Sequence, residues 1–333
     1  MTTALVIGAG GQIGSDLVPA LIAAGHETYM LDLRPPEETA AHDRLCASLA
    51  DDPDWKSRWI TADGSSPELA DTIARLKPDR VYHLAALLSA TGEANPDLCW
   101  KVNLESLRIA LDALHASPTK RPVIVWPSSI AAFGPLPDGR AYDGHERVPD
   151  DFPLHPTTMY GVTKVAGELL GAWYAAQRDV DFRSVRFPGL LSGTPPGGGS
   201  SDYANEMYFA AARSEDHVEV FVEPGTRMPF MHMDDAVSAL MELADADEAR
   251  LTRRTYNLSA FAPTAEQFAA AIVAANGALD VTWAPDHRNA FVASWPDDVD
   301  ASLAARDWGF KPQLDLAATT ERLLADIRQL LAV

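Results

Sequence analysis

Short apolar runs alternate with amphipathic stretches through the first 190 residues. The runs TALVIG, ETYMLDL, SRWITAD, RVYHLAA, PVIVWPSS and DFRSVRFPGLL are nearly continuous in apolar and β-branched residues. Such runs predict strands buried on both faces, and therefore a parallel sheet. Between them GSDLVPALIAAG, residues 36–50, PELADTIARL, residues 96–116 and residues 158–177 read as helices. Strands and helices in this alternation, joined by right-handed crossovers, predict a doubly wound Rossmann-type α/β fold. Pro19 falls inside the first helix, where a proline costs about 3 kcal/mol unless the helix kinks.

Beyond residue 190 the rhythm changes. A glycine-rich stretch leads into HVEVFVEPG, MPFMHMDDAVSALMEL, RTYNLSA and two late helices, with no linker between the halves. The expected organisation is a Rossmann-type domain over 1–190 and a smaller mixed α/β lobe over 191–333, with the chain free to cross back. That lobe should pack on the C-terminal edge of the sheet and share a cleft with it.

Composition narrows the partners. The 333 residues, 47% hydrophobic and 22% charged, are ordinary for a soluble globular protein with a large core. Lys and Arg number 27 against 47 Asp and Glu, a net charge of −20 that repels nucleic-acid backbones and anionic membranes. No run approaches the length of a membrane span. MTTALVIGAGG carries no basic or apolar leader, and Cys46 and Cys99 form no CxxC pair. A cytoplasmic protein is expected, and the scattered histidines predict no metal site.

GAGGQIG lies between the first strand and the first helix. Gly8 permits the tight turn, Gly11 the approach of a pyrophosphate and Gly14 close helix–strand packing, with Gln12 and Ile13 at the helix start. Asp32 ends the second strand, 18 residues after Gly14, where a carboxylate accepts from ribose hydroxyls and repels a 2′-phosphate. NAD is favoured over NADP, although Arg34, next to Leu33, leaves the choice open. Asp63 and Gly64 close the third strand beside the expected adenine. Leu84, Ala85 and Ala86 end the fourth, leaving room for ribose and phosphates.

MYGVTK places Tyr160 and Lys164 four residues apart, on one helix face. A phenol with a pKa near 10 is a poor base, and a neighbouring ammonium would stabilise its phenolate. Ser128 and Ser129 end the fifth strand, where a hydroxyl can orient a substrate oxygen beside Tyr160. In PPGGGSSDYA, three glycines let the chain fold tightly, and hydroxyls and a carboxylate follow.

These residues resemble the extended short-chain dehydrogenase/reductase superfamily over nearly the whole chain, including the ending DASLAARDWGFKP. AALLSATGEANPDLCWKVN, WPSSIAAFGP, PGLLSGTPPGGGSSDYANEMY and ASWPDDVDAS are similar to one subgroup, the L-threonine 3-dehydrogenases. The resemblance implies NAD-dependent oxidation of the β-hydroxyl of L-threonine to 2-amino-3-oxobutanoate, with Tyr160 as base. It implies that Ser129 and Tyr160 hold the hydroxyl and that Lys164 tunes the tyrosine. Ser89, Thr91 and Gly92 would line the amino-acid pocket. Ser200, Ser201 and Asp202 would gather the ammonium and carboxylate, with Trp295 as a wall. Leu190 would lie by the nicotinamide and Asn103 behind it.

Two serines stand where the subgroup tends to have threonines, which loosens the pocket. The segment DGRAYDGHERVPDDFPLHP before Tyr160 is longer than usual. Two other readings stay open: a nucleotide-sugar epimerase or dehydratase of the same superfamily, and a non-catalytic NAD-sensing regulator. The first needs basic residues to grip a diphosphate, and 190–235 offers Arg213 and Arg227. The second tends to lose the tyrosine or lysine, and both are present. The resemblance also implies a homodimer joined through a four-helix seam, from the helices near 96–116 and 158–177.

Overall fold

Side chains along each central strand split between two cores. The computed structural model describes residues 2–117, 121–136, 138, 142, 147–215 and 217–331. Its strands begin with β1 (Thr3–Ile7), β2 (Glu27–Asp32), β3 (Trp59–Thr61), β4 (Arg80–His83) and β5 (Val123–Ser129). Next come β6 (Arg147–Val148), β7 (Asp181–Phe187), β8 (Gly189–Leu191) and β9 (His217–Val220). The last are β10 (Phe230–His232), β11 (Thr255–Asn257), β12 (Asp280–Trp283) and β13 (Asp298–Val299). The helices are α1 (Gly14–Ala23), α2 (His42–Ser48), α3 (Glu68–Leu76), α4 (Ser89–Ala94), α5 (Pro96–Trp100) and α6 (Ser106–His115). They continue with α7 (Met159–Gln177), α8 (Asp202–Ala212), α9 (Met233–Asp245) and α10 (Ala265–Asn276). Last are α11 (His287–Val292), α12 (Ser302–Trp308) and α13 (Leu316–Leu331).

The main sheet has seven strands in the order β11-β7-β5-β4-β1-β2-β3, every pairing parallel. Ala4 and Val6 of β1 join the core under α1, α2 and α9, with Leu17, Leu45 and Leu240. Leu5 and Ile7 join the opposite core, with Leu69 of α3 and Leu107 of α6. The period-2 alternation thus serves two apolar faces, the doubly wound arrangement expected. On α7, a Cβ at Gly167 would lie 2.4 Å from the Trp126 ring, and one at Gly171 2.3 Å from Phe182. Those two glycines let α7 press onto β5 and β7, which brings its first turn to the sheet's C-terminal edge.

A third core fills the smaller lobe with Tyr203, Phe230 and Phe268 in edge-to-face contact, around α8, α10 and α13. Short parallel ladders, β8–β10, β9–β12 and β6–β13, complete it. The two parts do not divide at residue 190. Ile130, Phe133, Leu136 and Val148 belong to the lobe's core. Conversely β11, α9 and α12 return to the sheet, so RTYNLSA supplies the sheet's edge strand rather than a lobe element.

Other elements also differ from the sequence pattern. The single helix over 96–116 is α5, a π-helical turn at Lys101–Glu105, then α6. Of residues 36–50, a 3-10 turn at Pro36–Glu38 and α2 are helical. SATGEA forms a short helix, α4, that the periodicity does not mark. Pro19 sits within an unbroken α1, and nothing in the structure explains how it is tolerated. Within the segment before Tyr160, residues 139–141 and 143–146 lie outside the described residues. Its latter part forms β6 and buries Asp150, whose Oδ1 accepts from the Asn257 N–H at 2.7 Å.

Candidate active site

One long cavity of about 600 Å³ opens at the C-terminal ends of β1, β2, β4, β5 and β8, between the sheet and the lobe. Its first part is the glycine turn after β1. A Cβ at Gly8, where φ is +86°, would come 2.7 Å from the Ala85 nitrogen, and one at Gly14 2.4 Å from the Gly8 carbonyl oxygen. Only glycine fits a backbone turned this way against β4. Gly8, Gly11, Gln12, Ile13 and Gly14 all face the cavity, as do Leu84, Ala85 and Ala86.

Asp32 and Leu33 line the same end. The Asp32 carboxylate accepts from the Gly10 N–H at 2.8 Å and the Arg34 N–H at 3.2 Å, which fixes it at the strand end. Gly10 is therefore part of the site although the glycine spacing does not pick it out. Arg34 is exposed and is not among the residues that line the cavity. Asp63 and Gly64 are in the wall. Ser65 donates its N–H at 2.8 Å and its hydroxyl at 2.6 Å to Asp63, holding that carboxyl below its usual range. A glycine-floored groove with an acidic strand end is what the adenosine and pyrophosphate of a dinucleotide require.

At the other end the first two turns of α7 present Tyr160 and Lys164. Thr158 caps this helix by accepting from the Gly161 N–H at 3.1 Å, and Glu93 of α4 accepts from the Met159 N–H at 2.8 Å. Two orphan donors are satisfied, and the turn is fixed. Ser128 and Ser129 also face the cavity but differ in partners. Ser128 donates to Oε1 of buried Glu168 at 2.5 Å, which leaves Ser129 as the hydroxyl beside Tyr160.

Burial dominates the electrostatics of both Tyr160 and Lys164. Burial pushes the Tyr160 phenol up to about 12, against a smaller downward pull from the Ser129 hydrogen bond. Burial also brings the Lys164 ammonium down to about 7. Lys164 is itself desolvated, and its Nζ donates to the Pro127 carbonyl at 2.7 Å. Asn103 is not in the cavity wall. It clamps Leu87 from behind, accepting from its N–H at 2.7 Å and donating to its carbonyl at 3.1 Å.

PPGGGSSDYA covers the space between these ends. Pro195, Pro196, Gly197, Gly199, Ser200, Ser201 and Asp202 face the cavity, with Ser89, Thr91, Leu190 and Trp295 nearby. The Ser200 N–H donates to the Ser89 hydroxyl at 3.0 Å, and the two hydroxyls meet at 2.9 Å. The glycine N–H groups turn inward. Those of Gly197, Gly198 and Gly199 converge on Oδ2 of Asp202 at 3.0, 2.9 and 2.8 Å. Half of the Asp202 carboxylate therefore holds the loop, where the sequence pattern placed all of it toward a ligand. Gly92 is not a lining residue. A Cβ there would come 2.8 Å from Cys99 Sγ, so its smallness lets α4 pack on α5.

Thr194, Leu88 and Pro127 also line the cavity and were not singled out by motif. Their residue types carry no chemical signal, so the folded geometry alone reveals them. Among the described residues no cluster of His, Cys, Asp and Glu could hold a metal ion, and no helix is long and apolar enough to cross a membrane.

The NAD dependent epimerase/dehydratase family model matches residues 4–259. A relative from Staphylococcus aureus (strain USA300), described as an uncharacterized epimerase/dehydratase, is 40% identical over 338 residues, covering 99% of this chain and 98% of its own. Among solved structures, L-threonine 3-dehydrogenase from Trypanosoma brucei is similar with a TM-score of 0.88 and 33% identity, covering 100% of this chain and 99% of that one. A monomeric L-threonine 3-dehydrogenase from a metagenome gives 0.86 and 36% identity, covering 98% and 99%.

Proposed function

The chain belongs to the NAD dependent epimerase/dehydratase family, and from that premise we propose that it oxidises the β-hydroxyl of L-threonine to 2-amino-3-oxobutanoate. The observation that carries this reading is the loop from Gly197 to Asp202, pinned to Ser89 across the cavity that also holds Tyr160. A roof held this close suits an amino acid better than a sugar nucleotide. Resemblance to the two threonine dehydrogenase structures supports it.

NAD, when bound, supplies the nicotinamide ring that accepts a hydride. The chain's own residues do the rest. Gly8, Gly11 and Gly14 with Asp32 hold the dinucleotide, and Leu190 packs at its reactive end. Ser129 orients the hydroxyl, and Tyr160 as phenolate takes its proton while the hydride leaves the same carbon. Lys164 stands beside the phenol, its Nζ 5.2 Å from the ring centre, to favour that phenolate. Ser89, Thr91, Ser200, Ser201 and the free face of Asp202 receive the ammonium and carboxylate, with Trp295 closing the side. Buried Met228 and Trp295 exclude water.

A homodimer through α5 and α7 belongs to the same reading. Leu98, Trp100, Val162, Leu169 and Trp173 are exposed on those two helices, an apolar face that a second copy would cover. The metagenome relative is monomeric, so sedimentation of this chain decides the point. A reducing cytoplasm suits Cys46 and Cys99, which make no disulfide.

The test is absorbance at the NADH band with purified protein, NAD and, in turn, L-threonine, D-threonine, L-serine and UDP-sugars. L-threonine should give turnover, and Tyr160→Phe should abolish it while NAD still binds. Turnover of a UDP-sugar without any of L-threonine would end the reading.

A further inference from the structure

Two side chains from the sheet side cross the cavity's mouth to the segment just before the glycine loop. Gln12 Nε2, directly after the glycine turn, donates to the Ser192 hydroxyl at 3.0 Å. Arg44 of α2 donates through Nη1 to the Thr194 hydroxyl at 2.7 Å, and its Nη2 pairs with Oδ1 of Asp16 on α1. Ser192 is tied further into the lobe, since its N–H reaches Asn205 of α8 and its hydroxyl accepts from the Thr194 N–H at 3.1 Å. Arg44 is thus fixed at one end to the helix whose N-terminus faces the dinucleotide phosphates, and at the other to a residue of the cavity wall.

Pro195 and Pro196 follow Thr194 immediately. Their fixed φ angles stiffen the chain, so the position of Thr194 is passed on to the loop roof. Gln12 and Thr194 both line the cavity, whereas Arg44 and Asp16 stand behind it. We infer that Arg44 is a positioning residue: by gripping Asp16 and Thr194 together it straps the glycine loop across the NAD groove and slows departure of the reduced cofactor. The inference rests on NAD occupying this groove and is indifferent to which alcohol is oxidised.

The experiment is stopped-flow displacement of NADH from the full chain, followed by its fluorescence, without any alcohol present. Arg44→Ala should raise the NADH dissociation rate roughly three- to tenfold, the size of one charged hydrogen bond in a partly exposed setting. Thr194→Val removes only the acceptor, keeps the shape and should give a similar rise. The double variant should add little to either single one, because both cut the same link. Arg44→Lys, which keeps the charge beside Asp16, should fall between parent and Arg44→Ala. A dissociation rate unchanged in Thr194→Val, or single effects that multiply in the double variant, would overturn the inference. Because no substrate enters the assay, either result leaves the assignment of L-threonine to be judged separately.

Discussion

Nζ of Lys164 donates to the main-chain carbonyl of Pro127 at 2.7 Å and lies 4.5 Å from the centre of the Trp126 ring. Both partners belong to β5, so the amine is drawn against the sheet in full burial. An ammonium in such a place is favoured by the carbonyl and the ring face, yet loses far more hydration than they restore. That balance is why its pKa falls to about 7.

The consequence for stability has a definite sign. In the unfolded chain the lysine titrates near 10.4, so between about 7 and 10.4 the unfolded state holds more protons than the folded one. Stability contributed by this site therefore rises with pH through that window, and below it the full cost of burying the charge remains. Lys164→Met should melt several degrees higher than the parent at pH 6, with the advantage shrinking as pH approaches 10.5. Calorimetry at pH 6, 8 and 10 checks this; a constant difference at every pH would refute a buried charge as its origin.

Ser129 acts on the phenol in the direction catalysis needs. Its hydrogen bond lowers the Tyr160 pKa against the larger effect of burial. Removing it should push ionisation to still higher pH, so the rise of kcat/KM with pH in Ser129→Ala should move upward. Activity at pH 8 should fall about 100-fold, the lower end of what a positioned acid–base partner contributes. Rates measured from pH 7 to 11 decide, and a rise left in place would remove Ser129 from any role on the phenol.

Much of this candidate site was legible because its residue types stand out. The glycines of the first turn, the acidic end of β2 and the Tyr160–Lys164 spacing are local signals, each set by strand and helix geometry. What stayed hidden depends on distant parts of the chain meeting. Nothing in RTYNLSA marks it as the sheet's edge strand, because short apolar strands look alike wherever they dock. Glu168 reads as an ordinary helix carboxylate, yet it is buried between Ser128 and Arg186. Asp202 carries a signal for ligand binding and none for the three N–H groups it collects.

The Glu168–Arg186 pair is closed on both sides. Arg186 gives Nε and Nη2 to the carboxylate at 2.9 and 2.7 Å, and Nη1 to the Asp150 carbonyl at 2.8 Å. Glu168→Ala would leave a guanidinium buried without its counter-charge, which costs about 3–5 kcal/mol. Replacing both residues by methionine should recover much of that loss, since no uncompensated charge remains. Urea unfolding of the three proteins tests it; a double variant as weak as Glu168→Ala would show that packing, not charge, sets the cost.

The loop roof yields the sharpest distinction. If Asp202 serves mainly to gather the N–H groups of Gly197, Gly198 and Gly199, then an uncharged oxygen in the same place should largely suffice. Asp202→Asn retains one acceptor oxygen, whereas Asp202→Ala retains none. With the loop role dominant, Ala should lower kcat/KM for the amino acid about 10- to 100-fold, the range of hydrogen bonds to a charged group. Asn should then stay within about fivefold of the parent, since neutral bonds are weaker but still made. With the charge needed for the substrate ammonium instead, Asn should be as impaired as Ala, and both should show it in KM. Steady-state kinetics of the two variants at one pH therefore separates a carboxylate that shapes the pocket from one that meets the ligand.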